Sequence, residues 1–383
     1  MKKLRFLLTA LAAVAVLGAV NLYIGYHLLL LLDSIVPALP RALYWTVFLV
    51  IALGYPLAMI PWPSRIRPFF RPFKVLGSYY LAVMEFALLL LPLADLVYGI
   101  LRLAGADAVA YAQIAGWVLA ALLVAFLVWG SRNAWNTVLR KYPIAIEGDK
   151  SLREPLTVAV ASDLHLGNIV GNRHLKRLVA QINAMQPDLI LLVGDVLDDS
   201  IEPFLRNRMS ENLAKLKARH GVYAVLGNHE YYGGSIAEYT EVMKSIGIPV
   251  LQDEVAEAAG VYIVGRKDKT AETMDPNGRR SVADLLKGLD RSRPIILMDH
   301  QPTGFDAAAK EGVDLLLSGH THRGQIAPNH WITRRLFELD WGYLRKAGLH
   351  VVVSSGYGTW GPPIRLASRS EILGLSLVTA QAR

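Results

Sequence analysis

The sequence predicts an α/β domain carried behind an α-helical bundle of about four transmembrane spans. Three observations predict it. Hydrophobic residues make up 53% of the chain and charged residues 19%, where soluble domains run nearer a quarter charged. The mean hydropathy is +0.32, and the longest apolar runs all lie before residue 141. From Tyr142 onward, short apolar runs alternate with amphipathic helical patterns and polar turns, the texture of an α/β fold. A length of 383 residues accommodates both parts, read as a transmembrane domain over 1–141 and a second domain over 142–383.

The four apolar runs are 6–32, 42–60, 75–101 and 112–130. Each is close to the ~20 residues that cross a hydrocarbon core. The first opens Met-Lys-Lys-Leu-Arg, but its apolar stretch is longer than that of a signal peptide and more spans follow it. It is read as an uncleaved anchor. The net charge of +8 belongs to this half: residues 1–142 hold 12 Lys/Arg against 4 Asp/Glu, and the remainder is balanced. A nucleic-acid binder carries its basic excess on the folded soluble part, so that class is set aside. No protein partner is predicted.

Orientation follows from basic residues in the short loops. With four spans, Lys2, Lys3, Arg5, Arg65, Arg67, Arg71, Lys74, Arg132, Arg140 and Lys141 share one face, against Arg41 and Arg102 on the other. Ten against two places both termini in the cytoplasm and the chain in the cell (inner) membrane as a multi-pass protein. The polar residues within spans are Asn21, His27, Glu85 and Asp95. They serve packing, or, since such residues are costly in lipid, a transport or proton-relay role. The loop 62–74 interleaves Arg and Lys with Trp and Phe, as membrane-surface anchors do.

In the second half, 157–161, 189–193, 222–226, 295–298 and 315–317 read as buried strands, with 349–354 and 372–378 completing a sheet. Helices are expected over 174–185, 204–217 and 236–246. Just past the five strands come Asp163-x-His165, Gly194-Asp195-x-x-Asp198, Gly227-Asn228-His229-Glu230, His300 and Gly319-His320-x-His322. In an α/β sheet the loops at the carboxyl ends of strands form the active edge, so these residues meet on one rim. The chain has no cysteine, which excludes thiolate metal sites and cysteine nucleophiles. Imidazole with carboxylate suits manganese, iron or zinc. Seven ligands exceed one catalytic ion and suit two that share a carboxylate, the arrangement that hydrolyses phosphoesters.

At these motifs, over about 143–378, the chain resembles the calcineurin-like metallophosphoesterase superfamily. Its tail, Gly356-Tyr-Gly-Thr-Trp-Gly-Pro-Pro-Ile-Arg365 before Glu371-Ile372, is similar to that of the membrane-anchored bacterial branch. The resemblance implies a four-layer α/β/β/α sandwich and two divalent ions, manganese first among manganese, iron and zinc. It implies that Asp163, His165, Asp195 and His322 hold one ion, and Asp195, Asn228, His300 and His320 the other. A hydroxide bridging the metals would attack phosphorus. His229 would stabilise the transition state or protonate the leaving oxygen, Glu230 would orient His229, and Asp198 would stand behind the ligands or shape a turn. Arg323 departs from the branch, where a glycine is common. It either holds a second phosphate bidentately, favouring a diphosphate or anionic lipid, or turns to solvent.

The implied activity is hydrolysis of a phosphomonoester, phosphodiester or diphosphate. A lipid substrate of the UDP-diacylglucosamine type is the expectation for a tethered enzyme. Soluble nucleotides or cyclic dinucleotides are the competing substrates. A scaffold that keeps the fold without chemistry is the non-enzymatic rival, although no ligand is missing. The segment 331–345 is apolar with Arg334, Arg335 and Arg345 interspersed, and reads as a packed cover or as an interfacial segment.

Overall fold

A computed structural model describes residues 2–63, 65–147, 150, 152 and 154–379. Ser64, within the basic aromatic loop, lies outside the described residues. The chain divides into two compact units, Met1–Trp129 and Gly130–Arg383.

The first unit is helical: α1 (Lys2–Asp33), α2 (Arg41–Ala52), α3 (Gly54–Met59), α4 (Arg71–Leu103) and the greater part of α5 (Ala108–Trp135). Among the described residues, three helices are long and apolar enough to cross a membrane, within Leu7–Asp33, Arg67–Leu103 and Ala108–Trp135. The expected second span, 42–60, is not one long helix. At 1.5 Å per residue, the 12 residues of α2 reach about 18 Å, well short of a ~30 Å core. The break has a local cause. Pro56 lacks the N–H that would continue the ladder to Ala52. Close packing accompanies it: a Cβ on Gly77 would lie 2.2 Å from the backbone nitrogen of Tyr55, so the α3 backbone rests directly on α4.

The polar residues of the spans are paired. The Asn21 side chain donates to Leu17 O (2.7 Å) and accepts from Tyr80 Oη (2.6 Å). Asp95 accepts from Tyr23 Oη (2.5 Å) and lies 3.3 Å from His27 Nε2, which ties α4 to α1.

The second unit has two six-stranded sheets. In the first, β1 (Val138–Ile146), β2 (Leu156–Ala161), β3 (Leu189–Val193), β4 (Val222–Val225), β5 (Val250–Leu251) and β12 (Glu371–Thr379) take the order β1-β12-β2-β3-β4-β5. In the second, β6 (Glu254–Ala258), β7 (Val261–Gly265), β8 (Ile295–Met298), β9 (Leu315–Ser318), β10 (Gly342–Lys346) and β11 (Leu349–Val353) take the order β10-β11-β9-β8-β7-β6. The runs β2-β3-β4-β5 and β11-β9-β8-β7 are parallel. Parallel strands covered on both faces are apolar throughout, and all five residues of β3 are fully buried.

The layers follow from which residues pack together. Val158, Leu191 and Val225 of the first sheet share a core with Ile263, Ile296 and Leu317 of the second, so the sheets stack face to face. Ile190 and Leu192 point the other way, onto Leu175, Leu178 and Ile182 of α6 (Asn172–Ala184). On the far side, Leu297 and Leu316 pack on Phe305 and Ala308 of a helix over Phe305–Lys310. This is the four-layer sandwich. The helix expected over 204–217 is instead two short ones, Glu202–Arg206 and Ser210–Leu213. Arg208, between them, takes a left-handed φ of 51°, which no α-helix continues through.

Candidate metal centre

The parallel strands deliver the chemistry-bearing loops to one edge. Asp163 and His165 follow β2, and Asp195 follows β3. Asn228 and His229 open α7 (Asn228–Gly233) after β4, His300 follows β8, and His320 and His322 follow β9. Five of these seven expected ligands have left-handed backbone: Asp163 (φ 53°), His165 (46°), Asp195 (51°), His320 (69°) and His322 (49°). Side chains with a Cβ rarely adopt it, and such strain clusters at functional sites. It turns each side chain inward immediately after its strand ends. The motif glycines make room: a Cβ on Gly227 would lie 2.2 Å from Asp195 Oδ1, and one on Gly319 would lie 2.2 Å from Asp163 Oδ2.

All seven side chains converge. Nε2 of His165 and of His322 are 2.9 Å apart, and His322 Nε2 is 3.4 Å from Asp163 Oδ1. Asp195 Oδ2 lies 3.0 Å from His300 Nε2 and 4.0 Å from His165 Nε2. Asn228 Oδ1 is 2.7 Å from His320 Nδ1. Donor atoms of Asp163, His165 and His322 form one potential ion-holding group, and those of Asp195, His300 and His320 another. Asp195 also lies with His165, so it stands between the two.

The donor set fits two cations. His300 Nδ1 donates to Val193 O at 2.8 Å, which leaves Nε2 as the nitrogen aimed at Asp195. That Nε2 is buried and lacks a hydrogen-bond partner. Burial opposes a charge on His300, yet Asp195, with Asp163 and Asp268 behind it, outweighs it and the pKa stands well above the ordinary value. The pocket therefore calls for positive charge between these two groups. Burial alone would raise the Asp195 carboxyl, but His300, His229 and His165 hold it well below its usual range. Burial pushes the pKa of His165, His320 and His322 down, leaving neutral rings with lone pairs to offer.

Support around the ligands is dense. Asp163 accepts from Ser162 Oγ (2.5 Å) and from the His320 amide (2.9 Å), and Asp195 Oδ1 from the His229 amide (2.9 Å). Glu230 does not orient His229 as expected. Its fully buried carboxylate accepts from the amides of Gly227 (2.7 Å), Leu197 (2.8 Å) and Asp195 (3.1 Å), stitching two ligand loops together from the first turn of α7. The partner of His229 is Asp199, whose Oδ1 lies 2.7 Å from Nδ1. Burial disfavours the charged ring, but that bond and the charges of Asp195, Asp199 and Asp198 raise the His229 pKa to about 9. Asp198 is half-buried in the same cluster.

Two functional residues were missed in the sequence. Asp199 directly follows Asp198, and either carboxylate of that pair could serve a histidine. We expect Asp199→Ala to lower kcat about 10- to 100-fold, in the range of lost orienting groups, with metal content by plasma mass spectrometry unchanged. The other is Arg365. Its guanidinium is fully buried and donates to His322 Nδ1 (3.0 Å), Ser355 O (2.7 Å), Gly358 O (2.5 Å) and Ser368 Oγ (2.9 Å). Burial draws its pKa down to about 10. The only sequence signal was its place in the tail pattern. Lysine lacks the planar fork, so Arg365→Lys should weaken metal affinity about 10- to 100-fold in a manganese titration. Thermal melting provides the separate readout of fold.

Arg323 is half-buried, with its guanidinium 4.1 Å from the centre of the Trp341 ring rather than turned to solvent. At the rim, the rings of Tyr232 and Trp360 lie 5.9 and 6.4 Å from His229, and both side chains are more than half exposed. Phe337 lies 6.1 Å from His320. Gln325 pins Trp360 through its backbone amide (3.0 Å) and carbonyl (2.8 Å).

Residues 156–324 match the family described as calcineurin-like phosphoesterase. A transmembrane protein with metallophosphoesterase domain from Danio rerio is 32% identical over 294 residues, covering 72% of this chain and 65% of that protein. An uncharacterized metallophosphoesterase of Helicobacter pylori is 31% identical over 242 residues, covering 63% of this chain and 64% of its own. One from Aquifex aeolicus is 30% identical over 262 residues, covering 66% of this chain and 97% of its own. The chain thus spans just under two thirds of the zebrafish and Helicobacter relatives.

Proposed function

The chain belongs to the calcineurin-like metallophosphoesterase family, and from that premise we propose that it hydrolyses a phosphoester or diphosphate bond of a membrane lipid. The observation that carries the lipid reading is the aromatic rim, with exposed Tyr232 and Trp360 beside His229 and half-buried Phe337 beside His320, on a chain with three membrane-length helices. An amphiphile can set its phosphate among the ligands and its apolar part along the rings. A UDP-diacylglucosamine-type diphosphate is the most concrete candidate, and a soluble nucleotide is the competing one.

Asp163, His165, Asp195 and His322 would hold one divalent ion, and Asp195, Asn228, His300 and His320 the other. Such ions polarise a phosphoryl group and make water a nucleophile at neutral pH. The chain's own residues do the rest. Asp199 holds His229 by Nδ1, which leaves Nε2 to donate a proton to the departing oxygen. Glu230 fixes the amides of Gly227, Leu197 and Asp195, so the ligand loops need not rearrange during turnover.

We place the catalytic unit in the cytoplasm. If α2 and α3 together cross the bilayer, Lys and Arg divide ten to two; if they do not, they divide eight to four. Both counts put the side holding Arg132, Arg140 and Lys141 inside, and only the side of the N-terminus differs. A C-terminal reporter active outside the cytoplasm should stay dark, and a bright one reverses the placement. For substrate, purified full-length protein and its Asp195→Asn variant would meet a membrane lipid extract and bis(p-nitrophenyl) phosphate. A lipid product missing from the variant sustains the reading. Turnover of the artificial diester alone sends the search to nucleotides.

A further inference from the structure

A short helix beside the mouth of the site has no packing role that accounts for its composition. α8 (His330–Leu336) buries none of its residues. Trp331, Ile332 and Leu336 are 65%, 57% and 72% exposed. Arg334 and Arg335 are exposed between them, and neither pairs with a carboxylate among the described residues. Apolar side chains of this size are ordinarily covered, and a run of them on one element marks an interaction surface.

The helix is fastened to the catalytic loops. Thr333 Oγ1 donates to Asp340 Oδ2 (2.7 Å), and Thr321 Oγ1, between His320 and His322, donates to Asp340 O (2.5 Å). Phe337, the next residue after the helix, lies against His320. The same segment is fastened to the point where the chain enters this unit. Trp341 carries the Arg140 guanidinium 4.7 Å from its ring, and Arg140 is five residues beyond Trp135, where α5 ends. Five residues span at most about 17 Å. Arg365 donates its amide to Gly130 O (3.0 Å), and the next residue, Leu366, donates to Gln325 O (2.9 Å).

We propose that α8 is a docking helix for an anionic lipid surface, inserting Trp331, Ile332 and Leu336 among the headgroups while Arg334 and Arg335 contact lipid phosphates. Tryptophan and arginine are the residues that favour that zone. A second copy of the chain fits the surface less well, because a two-fold contact would set Arg334 and Arg335 against the same pair. The inference deepens the lipid reading of the site, since a docked α8 holds the mouth of the metal centre at the headgroup layer where a lipid phosphate lies.

The chain has no cysteine, so Ile332→Cys and Leu336→Cys each provide one thiol for a nitroxide label. Met274→Cys, at the exposed end of the short helix Ala271–Met274, gives the aqueous reference. Full-length protein would be placed in nanodiscs of phosphatidylcholine, with and without phosphatidylglycerol. The labels at 332 and 336 should be several-fold more accessible to oxygen than to a water-soluble nickel chelate when phosphatidylglycerol is present. Arg334→Glu with Arg335→Glu should return them to the accessibility seen at 274. Labels that stay in water, or that stay inserted after the charge reversal, overturn the proposal. Dipolar broadening between labels of two chains also overturns it, by placing a second copy on this face. Insertion without turnover of any lipid sustains docking and removes the lipid substrate; turnover with both labels in water does the reverse.

Discussion

Asp195→Asn protein should emerge from purification with at most one tightly held ion per chain and with kcat/KM at least ~10³-fold below the parent. Asp195 shares a donor group with His165 on one side and another with His300 and His320 on the other. Asparagine keeps its shape and loses its charge, leaving Asp163 alone to balance two divalent cations. The substitution also disturbs the loop, because Asp195 Oδ1 accepts the His229 amide. An amide oxygen at that position still accepts, so the fold should survive and thermal melting should show a folded chain. Metal content by plasma mass spectrometry beside hydrolysis of bis(p-nitrophenyl) phosphate checks both parts. Two retained ions with full activity would remove Asp195 from the bridging position.

His229→Ala should behave in the opposite way, keeping both ions and losing ~10²–10³ in kcat. Its ring stands edge-on to His165 at 4.6 Å, close to the ligands, but its Nδ1 is engaged by Asp199. A ring held from behind by a carboxylate, with its pKa raised to about 9, is a proton donor at neutral pH. Bound cations work against that charge and bring the value down toward the working range. The loss should shrink for substrates with a good leaving group, which departs without a proton. Comparing p-nitrophenyl with alkyl phosphoesters therefore separates proton donation from transition-state charge stabilisation. Loss of metal in His229→Ala would instead make it a ligand.

Much of the soluble unit was legible because its strands are buried on both faces, which turns each into a continuous apolar word ending in a polar motif. Leu189–Val193 and Ile295–Met298 fall where the sequence placed them. The edge strands β5 and β6 were not seen: β5 has two residues, and β6 alternates weakly around Glu254 and Glu257. In the membrane half, composition marked the apolar runs but not the break between α2 and α3, where Pro56 cannot continue the ladder to Ala52 and the α3 backbone packs directly on Gly77. At the site, ligand identity was readable from residue type at strand ends. What supports the ligands was not. Asp199 reaches a residue 30 positions away and Arg365 one 43 positions away, and pairings at that range follow from tertiary packing.

The left-handed ligands carry a consequence for engineering and for drift. Each non-glycine residue in that conformation costs about 1–3 kcal/mol, and five of them together approach the ~5–15 kcal/mol by which a whole domain stays folded. Relief is one substitution away at each, since glycine accepts the same dihedral angles without strain. A selection scheme that rewards heat resistance alone would therefore favour glycine at 165 or 320, whose side chains accept no buried backbone amide, and return robust, inert protein. Thermostabilisation of this scaffold has to be scored on turnover from the first round, because here the gradients of durability and catalysis point in opposite directions.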